Sequence, residues 1–414
     1  SRWPFTGLIQ GGPDRFVPRG YLSYPYFMGY AATYLKRATG VDVRFRDSIA
    51  LRESYDRYFE HICHERYDYL FLESASSSWD NDSQIIEIIH KLTPRTRIVL
   101  TGPIVASRGQ AILAKGIVHA CICGEYEKGS VSVLAGESGL IDFDLLTQDE
   151  MNAAPFPYYD PTYAKRYWDG CPAGMQFPHA QVWSSRGCPF KCIFCVWPAT
   201  MTSNDPDGTR PRTVRYYSRD YMLGFLTELV ERYSYKSIYF DDDTFNLGDR
   251  HTLDMCDVMR QIGLPWAAMC RADTIKMDTW RAMRASGCFG VKLGFESGNQ
   301  WVVDNIVNKH LNLEHAAEVV RELKRLGMFV HGTFTYGLPG ETAEQMQDTR
   351  RYIASLPFDT YQESGAAVMD GTPLDTLIKH GSLDKYAGAR VTDDFCPTSD
   401  GSKKIDLIRA ARAS

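Results

Sequence analysis

Along the first third of the chain, short apolar runs alternate with longer stretches in which apolar positions recur every three or four residues. "FTGLIQ" (5–10), "VDVRFRD" (41–47), "YDYLFLES" (67–74), "TRIVLTGP" (96–103) and "VHACICGE" (118–125) read as strands. "YFMGYAATYLKRATG" (26–40) and "DSQIIEIIHKLTP" (82–94) read as helices between them. Strands separated by helices of this length predict an α/β domain, a doubly wound parallel sheet with both faces covered, over residues 1–145. Its ligand crevice belongs beyond the carboxyl ends of the strands.

The text changes over residues 146–180, where "MNAAPFPYYDPTYAKRYWDGCPAGMQFPH" carries prolines and aromatics without a period. This is a linker, and its aromatics predict that it packs on a surface. Alternation resumes at 181 with longer units. "AQVWSSRG", "SIYFDDDTF", "WAAMCRADT", "GVKLGFESG", "FVHGTFTYGLPG" and "TYQESGAAVMDGTP" read as strands, with helices predicted over 218–233, 250–262, 277–286, 312–326 and 342–355. Six β/α units predict a partial (β/α)6 barrel over 181–375, with functional groups at the strand carboxyl ends. Residues 376–414 form a short C-terminal extension.

The 414 residues exceed one ordinary core, and the formal net charge of −5 comes without a Lys/Arg run. Neither nucleic acid nor a membrane surface is therefore expected as a partner. No apolar run is long enough to span a bilayer and no signal-peptide pattern opens the chain, so a cytoplasmic protein is expected. Eleven cysteines, mostly single in apolar stretches, look like reduced core thiols.

Two groups of residues break that plain picture. The first lies at the strand ends of the N-terminal domain: Gly11, Gly12, Ser74, Ser76, Thr101, Gly102, Gly124 and Glu125. Small residues there let a large planar or phosphate-bearing ligand approach the backbone; tight strand-to-helix turns are the rival explanation. The second is "SSRGCPFKCIFCVW" (184–197), with Cys188, Cys192 and Cys195 within eight residues. Zinc would want a fourth ligand nearby, and buried structural thiols fit poorly with the interleaved Gly187, Pro189 and Lys191. An iron–sulfur cube with one iron left open fits three thiolates better.

The CxxxCxxC spacing, with Phe194 before the third cysteine, resembles the signature of the radical S-adenosylmethionine (SAM) superfamily. "YFDDDTF", "CRADT", "KLGFESGNQWVVDNIVNKH" and "GTFTYGLPGET" look like later strand ends of its subclass with an N-terminal cobalamin-binding domain, a Rossmann/flavodoxin-type fold. The first 145 residues are similar to that domain. The resemblance implies a [4Fe–4S] cluster on Cys188, Cys192 and Cys195, with SAM chelating the open iron. It assigns Phe194 to the adenine, Asp242 and Asp243 to the methionine amino group, Glu296 and Ser297 to the ribose or amino acid portion, and Gly337 and Gly340 to backbone contact with the adenine. The N-terminal strand-end residues would hold cobalamin. Asp47 stands where the histidine-ligating relatives begin their motif, but Ile49 occupies the histidine position, so base-off cobalamin without an axial histidine is expected.

Arg271, Asp273 and Tyr336 are candidates to line the reaction chamber, with an Arg271–Asp273 ion pair as the rival. Lys309 and Arg321 are candidates for the SAM carboxylate, and His331 reads as packed. The activity implied is methylation of an unactivated carbon of a small molecule or peptide, through a 5′-deoxyadenosyl radical and methylcobalamin, fed by an external low-potential electron donor. The alternative is a radical enzyme of the same architecture that cyclises, oxidises, rearranges or contracts rings, with or without cobalamin.

Overall fold

The computed structural model describes residues 8–10, 22–168, 176–202, 205 and 209–379. Gly11, Gly12 and the C-terminal extension beyond Lys379 lie outside the described residues.

Two parallel sheets organise the chain. The N-terminal sheet holds β2 (Tyr69–Glu73), β3 (Arg97–Thr101), β4 (Ala120–Ile122) and β5 (Gly139–Ile141), in that order and all parallel. Successive residues of β3 serve opposite faces, as a pleated strand requires. Ile98 and Leu100 join Ile86, Ile89 and Ile104 on one face, while Val99 packs with Ile122 and Val133 on the other. Both faces are thus covered by apolar side chains, which is why β3 is buried from its second residue onward.

Two of the strands expected in this sheet are not in it. The run 41–47 alternates apolar and polar residues but forms no strand, because no ladder partner lies beside it. Instead a cavity of about 1250 Å³ separates it from β2, lined by Met28, Val43, Phe45, Leu72, Ser74 and Thr101 among others. β1 (Leu8–Gln10) pairs antiparallel with the edge of the other sheet. In exchange, β5 adds a strand that the pattern did not suggest, three residues being too few to show a period.

The larger sheet runs in the order β1, β13, β12, β11, β10, β9, β6. Its six parallel members are β6 (His179–Val182), β9 (Ser237–Phe240), β10 (Trp266–Cys270), β11 (Cys288–Glu296), β12 (Phe329–Tyr336) and β13 (Thr360–Gly365). Five longer helices between them fall at Arg219–Tyr233, Asp249–Ile262, Met277–Ala285, Leu313–Arg325 and Ala343–Ala354, and a short one, Gln300–Asn305, follows β11. Ser218, Asn312 and Thr342 accept backbone N–H groups at three of their starts, the last as a capping box. A two-stranded ribbon, β7 (Ser185–Arg186) with β8 (Arg215–Tyr216), follows β6.

The proline-rich stretch packs against this body. Tyr159, Tyr163 and Tyr167 are buried, Tyr159 stacks on Tyr24 at 4.2 Å between ring centroids, and the Tyr159 hydroxyl donates to the Gln181 carbonyl. Together with α1 (Tyr26–Thr39) they extend the main core from the large sheet toward the N-terminal domain. No helix among the described residues is long and apolar enough to cross a membrane.

Candidate active site

The loop bearing the three cysteines leaves the β7–β8 ribbon at Gly187, whose φ is +96°. A Cβ there would lie 2.3 Å from the Thr213 carbonyl oxygen, so only glycine fits. From that point the loop is gripped on several sides. The Ile193 amide donates to the Val307 carbonyl, the Leu374 amide donates to the Ile193 carbonyl, and Asn308 donates to the Lys191 carbonyl. Arg212, itself paired with Asp205 at 3.1 Å, donates to the Phe190 carbonyl at 2.6 Å. The Arg271 guanidinium lies over the Phe190 ring at 3.7 Å.

Burial pushes the Cys188 thiol up to about 11 and raises Cys192 and Cys195 as well. Three thiolates held in one loop call for a cationic centre, and that donor chemistry fits an iron–sulfur cube. Among the described residues no three His, Cys, Asp or Glu side chains gather tightly enough to hold a single metal ion. A cube asks something else, since each thiolate binds a different iron. Arg271, Arg212, Lys309 and Glu296 all act electrostatically on Cys192.

Glu296 ends β11 at a bulge and has φ +71°, a costly conformation for a non-glycine residue. Its carboxylate accepts from the buried Lys309 ammonium at 2.9 Å and from Thr335 at 3.3 Å. Asp242, at the end of β9, accepts from the Ser184 amide and hydroxyl and from the Ser185 hydroxyl, binding β9 to the turn before the ribbon. Its second oxygen is buried without a hydrogen-bond partner, and burial raises the group to about 6. Asp243 accepts from the Gly187 amide at 3.2 Å, and burial beside Asp242 lifts it to about 7.

Other candidates have different tasks. Arg271 forms a two-pronged pair with Asp273, at 2.6 and 2.9 Å, and also donates to the Lys309 carbonyl. Arg271 thus joins Asp273 to the segment that carries Lys309 and, over the Phe190 ring, to the cysteine loop. Tyr336 is fully buried and donates to Glu363 at 2.9 Å; Ser297 is equally buried against Thr349. Phe194 packs with Ile193 and Leu338. Gly337 and Gly340, both with positive φ, shape the turn after β12. His331 is buried on β12 beside Thr360, and burial lowers it to about 3; Arg321 is exposed on its helix.

At the N-terminal strand ends the polar groups are engaged within the protein. The Ser74 hydroxyl donates to Asp82, the Thr101 hydroxyl donates to the Leu72 carbonyl, and the Ser76 hydroxyl accepts from the Asp370 amide. Gly102 has φ +102°, and a Cβ on it would stand 2.3 Å from the Ser74 carbonyl oxygen, so the strand crossing itself demands glycine. Gly124 packs against Phe143 and the Met201 carbonyl. Glu125 is ion-paired with Arg215 and Arg186. Asp47 caps the short helix Ser48–Leu51, and Ile49 is exposed.

Sequence reasoning missed Arg186, Arg212 with Asp205, and Glu341. Burial raises Glu341 to about 8 while one of its oxygens accepts from the Leu338 amide and the other has no partner. A lone charge in an apolar strand was the available signal for Arg186; nothing in the text marked the other three.

Three cysteines in one loop beyond the carboxyl end of a sequentially ordered parallel sheet suit a cluster-dependent, SAM-cleaving class of domain. Residues 184–353 match the sequence profile of the radical SAM superfamily, and this part of the chain is a radical SAM domain, whose cofactors are a [4Fe–4S] cluster and SAM. Among curated relatives, "Uncharacterized methyltransferase PH0819" of Pyrococcus horikoshii is 30% identical over 276 residues, 64% of this chain and 56% of the relative. "Cytidylyl-2-hydroxyethylphosphonate methyltransferase" of Streptomyces wedmorensis is 28% identical over 57% of this chain and 45% of its own length. The chain thus spans about half the length of the curated relatives it matches. The fold is similar to that of TsrM, a radical SAM methyltransferase from Kitasatospora setae solved with cobalamin and a [4Fe–4S] cluster, with TM-score 0.69, 14% identity, and coverage of 89% of this chain and 77% of that one.

Proposed function

We propose that this chain is a cobalamin-dependent radical SAM methyltransferase acting on an unactivated carbon of a small molecule or peptide in the cytoplasm, supplied by a low-potential electron donor. The observation that carries the reading is the loop of Cys188, Cys192 and Cys195, braced beyond the carboxyl ends of the parallel strands and inside the segment that matches the radical SAM profile. In this reading residues 1–145 are the cobalamin domain, 146–180 the linker, and 181–375 the partial barrel. Relatives named methyltransferases and the fold likeness to TsrM support it.

When bound, the cluster and SAM supply a 5′-deoxyadenosyl radical, and cobalamin supplies the methyl group. The protein's part is placement and exclusion of water. Cys188, Cys192 and Cys195 hold the cluster. Glu296, presented by a strained backbone with Lys309 beside it, and the free oxygen of Asp242 are polar groups available to the amino acid portion of SAM. Phe194 and the turn at Gly337 and Gly340 offer an apolar wall for the adenine. On the N-terminal side a cavity of about 1250 Å³, lined by Ser74 and Thr101 among others, offers room for the second cofactor. The hydroxyls of Ser74 and Thr101 are engaged within the protein, which favours the second reading, a radical enzyme of the same architecture that cyclises, oxidises, rearranges or contracts rings with or without cobalamin.

Anaerobic purification with hydroxocobalamin tests the proposal. About four irons and one cobalt per chain are expected, and turnover under reduction should give 5′-deoxyadenosine together with S-adenosylhomocysteine. Four irons without retained cobalt, and no S-adenosylhomocysteine, would move the assignment to the second reading.

A further inference from the structure

Arg186 stands two residues before Cys188, and its guanidinium is buried among charges and rings that belong mostly to the other domain. Its Nη2 donates to Glu127 at 2.8 Å, its Nη1 lies 3.2 Å from Glu125, and its Nε donates to the hydroxyls of Tyr26 at 2.9 Å and Tyr217 at 3.1 Å. The rings of Tyr30, Tyr26, Phe27 and Tyr217 surround it at 4.9, 5.2, 5.5 and 5.8 Å from their centroids. Glu125 is gripped in turn by Arg215, which faces Arg186 in the two-stranded ribbon and also donates to the Leu146 carbonyl.

Glu125 and Glu127 come from the turn that follows β4 of the N-terminal sheet; the two arginines come from the ribbon that delivers the cysteine loop. Two positive and two negative charges are thus sealed at the junction of the domains, with the side chains of Arg186, Glu125 and Glu127 each 1% exposed. A buried group of this kind is a poor source of stability, since apolar residues of the same volume often serve as well. What the planar forks supply is fixed distance and angle. Only Gly187 separates Arg186 from Cys188, so that geometry is passed directly to the cluster loop.

We propose that Arg186, clamped by Glu125 and Glu127, is a positioning residue that holds the cysteine loop at one separation and orientation from the carboxyl ends of the N-terminal sheet. The two ligand sites then face each other without slack. That the second site is cobalamin's rests on the function proposed above; the clamp between the domains does not.

The test uses the full chain purified anaerobically with its cluster. A nitroxide is attached at position 88, where Ile88 is exposed on the helix Trp79–Leu92 of the N-terminal domain, and pulsed dipolar spectroscopy reads its distance to the reduced cluster. The double variant Arg186→Met with Glu127→Gln removes one charge of each sign and leaves Glu125 with Arg215. Iron content and substrate-free 5′-deoxyadenosine formation are expected to stay within about threefold of the parent, while the distance distribution widens about twofold. If that variant does not fold, Arg186→Lys keeps the charge, loses the fork, and is expected to widen the distribution in the same way. A lowered melting temperature with unchanged width would mean a merely structural role and overturn the proposal, as would unchanged width alone. Should the parent chain retain no cobalt, the cobalamin reading fails while the distance measurement still decides on the clamp.

Discussion

The carboxyl ends of the two sheets are built on opposite plans. Around the cysteine loop, charged groups converge, a carboxylate is held on a strained backbone at Glu296, and oxygens of Asp242 and Glu341 are buried without partners. At the ends of β2, β3 and β4 the polar side chains of Ser74, Thr101 and Glu125 are spent inside the protein, and a cavity lies beside Ser74 and Thr101. The first plan suits a small, charged guest read by side chains. The second suits a large one recognised by shape and backbone.

The sharpest way to break this contrast is at the loop itself. Cys192→Ala is expected to abolish 5′-deoxyadenosine formation and to strip most of the iron while leaving far-ultraviolet circular dichroism unchanged; retained turnover in that variant would refute the cluster assignment. Next in size is Lys309→Met, which leaves the Glu296 carboxylate buried without its cation. Denaturant unfolding should show a loss of about 3–5 kcal/mol, as for other broken buried pairs, and a loss below the error of the measurement would show that Glu296 is better hydrated than its surroundings imply.

Glu341 offers a pH handle on the same plan. Its carboxyl is raised by burial to about 8, so the folded chain holds a proton that the unfolded chain has released above its ordinary value near 4.5. Stability contributed by the protonated form is therefore present at low pH and is lost as pH rises from about 4.5 toward 8, at no more than about 1.4 kcal/mol per pH unit. Urea unfolding across that window should show the decline in the parent and a flatter profile in Glu341→Gln; parallel profiles would argue that the group is already ionised. The smallest effect is expected at the other sheet. Ser74→Ala removes one internal hydrogen bond worth about 1 kcal/mol, and hydroxocobalamin retention should change less than about twofold because that hydroxyl faces Asp82. A larger loss of cobalt would show that the strand-end side chains do read the ligand.

Much of this was legible without coordinates, because it depends on local periodicity. The six parallel strands of the large sheet, five of the helices between them and the cysteine loop all announce themselves through apolar spacing, cap residues and the thiol pattern. The failures have a common cause. Val41 to Asp47 alternates like a strand and Leu8 to Gln10 is apolar like one, but whether a run joins a sheet depends on what lies across the ladder, which alternation does not encode. For Arg271 and Asp273 the spacing offered both a chamber role and a mutual ion pair, and the fold forms the pair; what the spacing did not show is that Arg271 also meets Phe190 and the Lys309 carbonyl, and Tyr336 meets Glu363.

By itself, then, the sequence determined the class of chemistry, since three thiols at that spacing after a strand leave little else to bind, and it determined the order of the parallel strands and longer helices of the large sheet, since both are written in nearest-neighbour terms. Tertiary structure alone decided which charges are free and which are spent. Arg186, Glu125, Arg271 and Asp273 are all strong polar residues near the strand ends; only the distances across the fold show that each already has a partner inside the protein, and a buried charge with a partner positions where a buried charge without one reacts.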